Sequence, residues 1–475
     1  MKITYVASEC APFVASGGLG DVLGALPKAV KAKESDFEIS VIIPCYESIK
    51  DTFQKELRKT AEITFNLSWR HTGAAIYELK EHGVTYFFIE NHRYFNRGRL
   101  YGEFDDCERF AFFSMAALEF MSQTKNIPDI LHANDWQTAL CVIYLKTKYK
   151  NYPHLSKIRS LYTVHNIEYQ GIFGIELLSD ILGLDEWDLN SLEYKGNLNL
   201  MKGALTLSDY ISTVSPNYRD ELCHDFFAFG LAPVINSISH KMCGIINGID
   251  YEYFSPDKDN DIYFPYNIDN LEEGKKKNKA QLQQELGLEV SENTPLLIMI
   301  TRLTATKGID LVLHIIEELL YRNNVQLVVL GTGEEKYEKE FIKLSYKYQN
   351  LVSIIKFDRA ISKKMYAAAD IFLMPSRSEP CGLAQMIACS YGCVPIVRSV
   401  GGLYDTIKHW NGISGNGFRF DNYNAHELLY VIKDALEFYR SNTWEKIRNN
   451  AISSKFEWSD SAAKYIAIYN NLLNW

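Results

Sequence analysis

Two cationic side chains flank a turn that could stabilise a departing anion. Arg302 and Lys307 lie in the segment Ile300–Asp310, which leaves a predicted strand and enters a helical pattern. A diphosphate that leaves a sugar gains negative charge as its bond breaks, and cations held in place stabilise that charge without a metal ion. Taken alone, the two residues would be best explained as an ordinary surface arginine and lysine. The pair indicates a binding site only in combination with other candidate site residues.

The most distinctive segment is 374–386, Met-Pro-Ser-Arg-Ser-Glu-Pro-Cys-Gly-Leu-Ala-Gln-Met. It follows a predicted strand, its Glu-Pro pair predicts a turn, and a helical pattern comes after its glycine. Glu379 could bind sugar hydroxyls beside the new helix. Backbone N–H groups are offered there by Cys381, Gly382 and Leu383. Cys381 is not expected to act as a nucleophile, because no histidine lies nearby in the sequence to activate it.

Two dense polar clusters follow predicted strands in the first half of the chain, His132–Gln137 and Thr163–Gly171. Open α/β sheets bind ligands at the carboxyl ends of their strands. Asp135 and His165 could therefore bond to sugar hydroxyls or polarise a reacting centre. One such residue at a strand end is usually structural, whereas two clusters with a tryptophan and a tyrosine nearby favour a binding site.

A glycine loop, Ala15–Val22, follows the first predicted strand and opens a helical pattern. Free N–H groups and the helix dipole would make this turn an anion site. The spacing is not Gly-x-Gly-x-x-Gly and no Walker lysine follows, which disfavours dinucleotide and P-loop binding. A purely structural turn explains the loop equally well, and Asp21 in the first helical turn could be a plain cap.

Short apolar runs must position these segments. In the first half the predicted strands are Ile3–Ala7, Ile39–Ile43, Thr85–Ile89, Ile130–Ala133, Ser160–Val164 and Tyr210–Val214. In the second half they are Leu296–Ile300, Val325–Leu330, Val352–Phe357, Ile371–Met374 and Val394–Val397. Helical patterns lie between many of them, which is typical of parallel, doubly wound sheets. Two such series predict two Rossmann-like domains with a cleft between them.

The join between the domains is placed near Asn247–Pro256, giving a first domain of residues 1–248 and a second of 249–459. The polar stretch Asp257–Lys279 that follows is interpreted as a solvated surface segment. It contains an Asp-Lys-Asp triplet at 257–259, which we expect on the surface rather than at a metal ion.

Composition excludes several classes of function. The 475 residues are 47% hydrophobic and 23% charged, with a net charge of −9, which argues against disorder and against general binding of nucleic acids or anionic membranes. Nine scattered cysteines without a Cys-x-x-Cys pair predict reduced thiols. No apolar run approaches the roughly 18 residues of a membrane span, and Met1–Cys10 is interpreted as a strand rather than a signal peptide. The expected location is the cytoplasm.

Taken in order, these segments resemble glycosyltransferase family 5, the bacterial glycogen synthases and starch synthases, over essentially the whole chain. The matching motifs are Ser-Gly-Gly-Leu-Gly-Asp-Val (16–22), Tyr-Thr-Val-His-Asn-Ile-Glu-Tyr-Gln-Gly (162–171), Thr-Val-Ser-Pro (213–216), Ile-Asn-Gly-Ile-Asp (246–250), Thr-Arg-Leu with Lys-Gly-Ile-Asp (301–310), Leu-Gly-Thr-Gly (330–333), Pro-Ser-Arg-Ser-Glu-Pro-Cys-Gly-Leu (375–383), Pro-Ile-Val-Arg (395–398), Gly-Gly-Leu-Tyr-Asp-Thr (401–406) and Tyr-Asn-Ala-His-Glu-Leu-Leu (423–429).

The resemblance implies an α/β fold of the glycosyltransferase-B type, in which two Rossmann-like doubly wound domains face a central cleft. The second domain would bind the donor and the first the acceptor, with a last helix at 460–475 returning to the first domain. The implied reaction is retaining transfer of glucose from ADP-glucose to the non-reducing end of an α-1,4-glucan such as glycogen or starch. It implies no cofactor and no metal ion.

The resemblance also implies roles for single residues. Arg302 and Lys307 would hold the donor diphosphate, Glu379 the glucose hydroxyls, and Phe357 the nucleobase, where the family usually has tyrosine. Backbone N–H groups would assist at Cys381, Gly382 and Leu383. The glucose pocket would be lined by Asp135, His165 and Asn166. The other implied donor-side residues are Gly17, Gly18 and Asn247, and the implied acceptor-side residues are Glu9 and Asp21.

Departures from the family leave alternatives open. Ala15 stands where a lysine is usual, Cys45 and Met115 stand where a lysine and an arginine are expected, and residues 224–232 match a usually glycine-containing acceptor-side loop poorly. One alternative is a glucosyltransferase of the same fold that uses UDP-glucose or another acceptor. Another is a noncatalytic glucan-binding relative, which the missing lysine favours. The retained site residues oppose that alternative, and the lack of a dinucleotide fingerprint disfavours a dehydrogenase.

Overall fold

The computed structural model describes residues 1–474. Two compact units make up the chain: one contains Met1–Asn247 together with the segment that starts at Trp458, and the other contains Gly248–Glu457. Each unit is a mostly parallel sheet covered by helices. The predicted α/β class, with two Rossmann-like units, is confirmed.

The strands of the described residues are β1 Lys2–Val6, β2 Glu38–Pro44, β3 Arg58–Leu67, β4 Arg70–Glu81, β5 Val84–Glu90, β6 Ile130–Asn134, β7 Arg159–Val164, β8 Ile172–Phe173, β9 Glu193–Tyr194, β10 Asn197–Asn199, β11 Tyr210–Thr213, β12 Met242–Gly244, β13 Leu296–Ile300, β14 Gln326–Leu330, β15 Leu351–Ile354, β16 Ile371–Met374, β17 Val394–Arg398 and β18 Phe418–Phe420.

The helices are α1 Gly18–Lys33, α2 Glu47–Phe53, α3 His92–Phe95, α4 Asp106–Thr124, α5 Ala139–Lys146, α6 Leu177–Asp180, α7 Leu189–Leu192, α8 Leu200–Leu207, α9 Pro216–Glu221, α10 Asp225–Ala228, α11 Ala232–Ile238, α12 Leu271–Glu285, α13 Ile309–Arg322, α14 Glu335–Lys347, α15 Arg359–Ala368, α16 Ala384–Ser390, α17 Gly401–Thr406, α18 Ala425–Tyr439, α19 Thr443–Ser453 and α20 Trp458–Leu473. Within residues 1–474, none of these helices has the length and apolarity needed to cross a bilayer.

The first unit is built on a nine-stranded sheet with the order β12-β11-β7-β6-β1-β2-β5-β4-β3. Strand β4 pairs antiparallel with both of its neighbours, β3 and β5. All other neighbours, including β2 and β5, pair in parallel. Strands such as β1 and β6 are buried on both faces, as continuous apolar runs in a parallel sheet require. Because β1, β6 and β7 are neighbours, the loops after them open at one edge of this sheet.

The second unit has a six-stranded parallel sheet with the order β15-β14-β13-β16-β17-β18. Its core includes Leu297, Met299 and Ile316, which pack between the sheet and the helices. The central strands β13, β16 and β17 are neighbours, so the segments after them lie side by side at the carboxyl edge. These are the segments that contain Arg302, Glu379 and the start of α17.

Most predicted strands agree with the structure within one or two residues, but one ends early and several short or edge strands have no predicted counterpart. The predicted strand Val352–Phe357 ends at Ile354. The hairpin β3–β4 was not predicted at all, and in β3 exposed and buried residues alternate. Such a half-exposed edge strand has no continuous apolar run, whereas the predicted strands do.

The interpretation of Asp257–Lys279 as solvated surface is wrong. The segment runs into α12, and its charged side chains include buried ones. Lys279 Nζ lies 2.7 Å from Asp370 Oδ2, and Lys363 Nζ lies 3.2 Å from the buried carboxylate of Asp259. Charged groups are tolerated inside a protein when they are paired and hydrogen-bonded, and pairing of this kind is not visible in a local polar pattern.

A buried chain of hydrogen bonds fastens α20 to the sheet of the first unit. Tyr469 Oη donates to Tyr5 Oη at 2.9 Å and lies 2.9 Å from His132 Nδ1. Because the one proton of Tyr469 goes to Tyr5, the proton of the imidazole sits on Nδ1, and Nε2 accepts from Thr163 Oγ1 at 2.6 Å. Burial lowers the pKa of His132 to about 3, so the ring is neutral. His132 is therefore a structural anchor for α20, which also packs on α1.

The predicted last helix, 460–475, begins two residues earlier than expected, and its final residue lies outside the described chain.

We predict that Tyr469→Phe lowers the free energy of unfolding by about 1–3 kcal/mol, because it leaves two buried partners without their hydrogen bonds. Urea unfolding measures the change. Tyr430→Phe is the control, since Tyr430 is exposed on α18 and should change stability by less than about 0.5 kcal/mol. Equal effects for the two variants would contradict the anchoring role.

Candidate active site

Asp135 connects the ends of two neighbouring strands in a strained conformation. It follows β6 with φ 57° and ψ 179°, a region that is nearly restricted to glycine. Its Oδ1 accepts the backbone N–H groups of His165 at 2.7 Å and Asn166 at 3.4 Å, just beyond β7. Burial raises the pKa of Asp135 to about 7. A strained, half-buried carboxyl group with a raised pKa at a strand end is typical of a functional site.

His165 is a neutral, oriented imidazole. Its Nε2 lies 2.9 Å from Asn134 Oδ1. The Asn134 amide nitrogen donates to two backbone carbonyls, so its Oδ1 is an acceptor and the His165 proton sits on Nε2. Burial lowers the pKa of His165 to about 3. The ring therefore carries no charge at neutral pH, and its side chain is fixed by Asn134 while its backbone is fixed by Asp135.

Glu9 holds the glycine loop. Its Oε1 accepts from Ser16 Oγ at 2.8 Å and from Tyr101 Oη at 2.5 Å, and its Oε2 accepts the Ser16 N–H. Tyr101 was not predicted, because it lies in a loop without a motif or a preceding strand. The N–H groups of Gly17 and Gly18 have no acceptor among residues 1–474, which leaves the start of α1 able to bind an anion.

The remaining predicted residues of the first unit differ in their surroundings. Asp21 is exposed in the first turn of α1. Asn247 is buried, and its Oδ1 has no hydrogen-bond partner within the described chain. Cys45 and Met115, which stand at positions where cations were expected, are both buried. Burial raises the pKa of Cys45 to about 12, so this thiol stays protonated.

In the second unit, Lys307 and Glu379 form an ion pair. Lys307 Nζ donates to Glu379 Oε2 at 2.5 Å, and Ser376 Oγ donates to the same oxygen at 3.1 Å. Lys307 closes the short helical turn after β13, and Glu379 follows the neighbouring strand β16. A ligand with phosphates and hydroxyls could replace this ion pair, because its phosphates would bind Lys307 and its hydroxyls would bind Glu379. The structure thus brings together two residues that the sequence analysis treated separately.

The turn after Glu379 presents donors and is supported from behind. The N–H groups of Gly382 and Leu383 have no acceptor among the described residues, and α16 begins at the next residue. Behind the turn, the Gly402 N–H lies 3.2 Å from the carbonyl oxygen of Glu379 and 3.1 Å from that of Pro380. The neighbouring Cys381 is buried.

Arg302 and Phe357 project from the same unit without strong protein contacts. The Arg302 side chain is exposed and has no ion-pair partner in residues 1–474. The ring of Phe357 is 80% exposed and has Arg359 at 5.9 Å from its centroid. Both side chains are available to a ligand. Within the described residues, no group of three or more His, Cys, Asp or Glu side chains could hold a metal ion.

We predict that Asp135→Asn raises stability by an amount that grows from about pH 4 and is complete at about pH 7 and above. The pKa of Asp135 is about 7 in the folded state, against 3.8 as its ordinary value. Between about pH 4 and 7 the folded state binds more protons than the unfolded state, so the free energy of unfolding falls as pH rises. Asparagine keeps the acceptor oxygen but never ionises. Thermal unfolding should show a higher Tm for the variant at pH 8 and nearly none of this gain near pH 4. The exposed Asp36→Asn is the control, and an identical pH profile in both variants would contradict the assignment.

The comparisons with known proteins concern both units. Residues 2–237 match the family model described as starch synthase catalytic domain, and residues 283–454 match that of glycosyl transferases group 1. The chain is 44% identical to a glycogen synthase of Clostridium botulinum (strain Alaska E43 / Type E3), covering 99% of each chain. It is 42% identical to the glycogen synthase of Clostridium novyi (strain NT), covering 100% of both.

Solved structures of glycosyltransferases are also similar to this chain. The catalytic domain of starch synthase IV from Arabidopsis thaliana, solved with ADP and acarbose, has a TM-score of 0.92 and 32% identity and covers 100% of this chain and 99% of its own. Sucrose-phosphate synthase from Thermosynechococcus elongatus has a TM-score of 0.63 at 16% identity over 100% and 99% of the two chains, which shows a shared fold alone. The expected glycosyltransferase-B fold is confirmed. The chain belongs to the family of bacterial glycogen synthases and starch synthases, the glycosyltransferases that add glucosyl units to a glucan.

Proposed function

We propose that this enzyme transfers glucose from ADP-glucose to the non-reducing end of an α-1,4-glucan, with retention of configuration and without a metal ion, in the cytoplasm where nucleotide sugars are made. The observation that carries the proposal is the Lys307–Glu379 pair beside the free N–H groups of Gly382 and Leu383. This arrangement supplies a cation, a carboxylate and backbone donors for a sugar with a diphosphate. The relative solved with ADP and acarbose supports the donor base and the glucan acceptor.

The leaving group would be stabilised by the second unit. When the bond between the glucosyl C1 and the phosphate oxygen breaks, Lys307 and Arg302 offset the negative charge that grows on the diphosphate. The Glu379 carboxylate, released from its lysine, accepts hydroxyls of the glucose. Phe357 offers an exposed ring on which the adenine can stack.

Retention would follow from attack on the face that the diphosphate leaves. The acceptor 4-hydroxyl forms the new bond to C1, and its proton goes to the departing phosphate oxygen. Neither carboxylate is poised as an enzymic nucleophile: Asp135 accepts two backbone N–H groups, and Glu379 is paired with Lys307. The neutral Nε2–H tautomer of His165 fixes the wall of the glucose pocket instead of moving a proton.

One assay tests the proposal. Purified protein is incubated with glycogen and labelled ADP-glucose or UDP-glucose, with and without EDTA, and the anomeric configuration of the new linkage is determined by digestion with an α-1,4-specific amylase. We expect incorporation from ADP-glucose that is unchanged by EDTA and fully released by the amylase. Preference for UDP-glucose would overturn the proposed donor. Loss of activity in EDTA that magnesium restores would overturn metal independence, and an amylase-resistant product would overturn retention of configuration.

We predict that Ala15→Lys lowers the KM for ADP-glucose by about tenfold, since a partly solvated cation beside the donor phosphates contributes about 1–2 kcal/mol. Ala15 directly precedes Ser16, which is bound to Glu9, and the free N–H groups of Gly17 and Gly18 remain in the natural chain. The natural chain should therefore be active. Turnover that appears only in Ala15→Lys would favour the noncatalytic, glucan-binding alternative.

A further inference from the structure

Three motif residues to which the proposed reaction gives no role come together in the second unit. Arg377 follows β16, Arg398 ends β17 and Tyr423 follows β18. The guanidinium of Arg377 lies 5.8 Å from the centroid of the Tyr423 ring, and that of Arg398 lies 5.5 Å from it. Because β13, β16, β17 and β18 are neighbours in this order, the three residues share the carboxyl edge of the sheet with Lys307.

The hydroxyl of Tyr423 contacts both ends of the short segment that contains Lys307. Its Oη donates to Asp310 Oδ1 at 2.5 Å, and it lies 3.2 Å from the carbonyl oxygen of Ala305. The single proton points mainly at the carboxylate, because a charged acceptor at the shorter distance forms the stronger bond. Lys307 lies between these two contact points. The hydroxyl therefore connects the turn before α13 to the first turn of that helix.

The middle of the same segment is held by the backbone that follows β16. The Arg377 N–H donates to the carbonyl oxygen of Thr306 at 2.8 Å. Gly308 has φ 72°, and a Cβ there would lie 2.1 Å from the carbonyl oxygen of Pro375. The turn before α13 is thus in direct backbone contact with the segment that leads from β16 to Glu379.

Arg398 joins the segment of Tyr423 to this backbone. Its Nη1 donates to the carbonyl oxygen of Arg377 at 2.8 Å, and its Nε donates to that of Asp421 at 3.1 Å. One planar guanidinium therefore bridges the segments that follow β16 and β18. Because α18 begins at Ala425, the ring of Tyr423 projects from a short connection that is fixed at both ends.

We propose that Tyr423 is a positioning residue for Lys307, and that it holds the turn before α13 where the ammonium group reaches the diphosphate of the donor. The lysine stem is flexible, so the reach of its ammonium group depends on the backbone that bears it. A displacement of about 1 Å at a positioned group can cost a hundredfold in rate, and the loss of one hydroxyl permits a smaller displacement. The inference rests on the proposed role of Lys307 at the donor.

The test is a double-mutant cycle that combines Tyr423→Phe with Lys307→Ala. Phenylalanine keeps the ring but loses the contacts to Asp310 and Ala305. We expect Tyr423→Phe to lower kcat for glucosyl transfer by about tenfold in the natural chain and by less than about twofold in Lys307→Ala, because the hydroxyl acts through the lysine. The KM for glycogen should not change. If Tyr423→Phe does not fold, Arg398→Lys replaces it with the same expectation, since lysine cannot reproduce the planar bridge.

Tyr263→Phe is the matched control in the same unit. Tyr263 Oη donates to Glu285 Oε2 at 2.5 Å, and Lys364 Nζ lies 4.6 Å from the centroid of its ring. This variant therefore loses a bond of the same kind, from a tyrosine that also contacts a cation, at α12 instead of at the Lys307 segment. Its Tm should fall about as far as that of Tyr423→Phe, whereas its kcat should equal that of the natural chain.

A second measurement requires no transfer of glucose. The affinity for ADP, measured by calorimetry, should fall several-fold in Tyr423→Phe and should not fall further when this change is added to Lys307→Ala. Equal losses in both backgrounds would overturn the proposal, as would near-normal kcat in Tyr423→Phe or an equal loss of kcat in Tyr263→Phe. If the natural chain transfers no glucose but its ADP affinity shows the coupling, the proposed function fails and this inference stands. A natural chain that binds no ADP would overturn both.

Discussion

Lys307→Ala is expected to lower kcat for glucosyl transfer by about a hundredfold or more. A preorganised donor that stabilises developing charge contributes roughly 3 kcal/mol to the barrier. The variant also leaves the carboxylate of Glu379 buried without its cation, since the two side chains are 2.5 Å apart. Initial rates of glucose incorporation into glycogen measure the effect, and Arg302→Ala should act in the same direction.

The ion pair allows a sharper version of this experiment. If Lys307 and Glu379 act as one unit, Lys307→Ala combined with Glu379→Gln will lose far less activity than the product of the two single losses. Lys336→Ala is the matched control, because Lys336 makes an exposed ion pair with Glu334 at 2.7 Å. A folded Lys307→Ala variant with near-normal kcat would remove this residue from the reaction.

Gly401→Ala is expected to abolish most activity by displacing the turn that contains Glu379. Gly401 has φ 43°, and a Cβ there would lie 1.9 Å from the carbonyl oxygen of Glu379. The backbone of Glu379 must therefore move away, and a displacement of about 1 Å at a positioned group can cost a hundredfold in rate. Both kcat and the KM for ADP-glucose should worsen, measured together with Tm and soluble yield.

Gly98→Ala is the control for this variant, since no atom lies within 4 Å of a Cβ at Gly98. A Gly401→Ala enzyme with normal kinetics would show that the Glu379 turn tolerates displacement. If Gly401→Ala does not fold, Leu403→Ala offers a second route: it removes a buried side chain from the same helix, α17, without a clash, and should raise the KM for ADP-glucose by loosening the support of the turn.

The sequence predicts buried parallel strands well and side-chain pairings poorly. Leu296–Ile300 and Ile371–Met374 were predicted with their observed bounds, because a strand covered on both faces is one continuous apolar run. Lys307 and Glu379 were each predicted as site residues from their own segments, yet their contact joins residues 72 positions apart. No local pattern encodes it, since it depends on which strands become neighbours.

Polar residues were misjudged where tertiary contacts decide their role. His132 belongs to a cluster that favours a site, yet its ring serves to anchor α20, because its partner Tyr469 is 337 residues away. Asp259 was placed on the surface but is buried against Lys363. Tyr101 is connected to the glycine loop by its hydrogen bond to Glu9, and no local motif marks it as a site residue. In each case the distant partner, rather than the local sequence, determines the surroundings.

The anchoring of α20 has a consequence for how the protein is made. The first unit needs Tyr469, yet 210 residues, Gly248–Glu457, are synthesised between its main part and α20. At ribosomal speeds of 5–20 residues per second, this unit waits about 10 to 40 seconds with the α20-binding side of its sheet and α1 uncovered. The second unit is continuous in the chain and can fold during that interval. Exposed apolar surface on a waiting nascent chain is where chaperones bind, so deletion of α20 should increase the dependence of soluble expression on them.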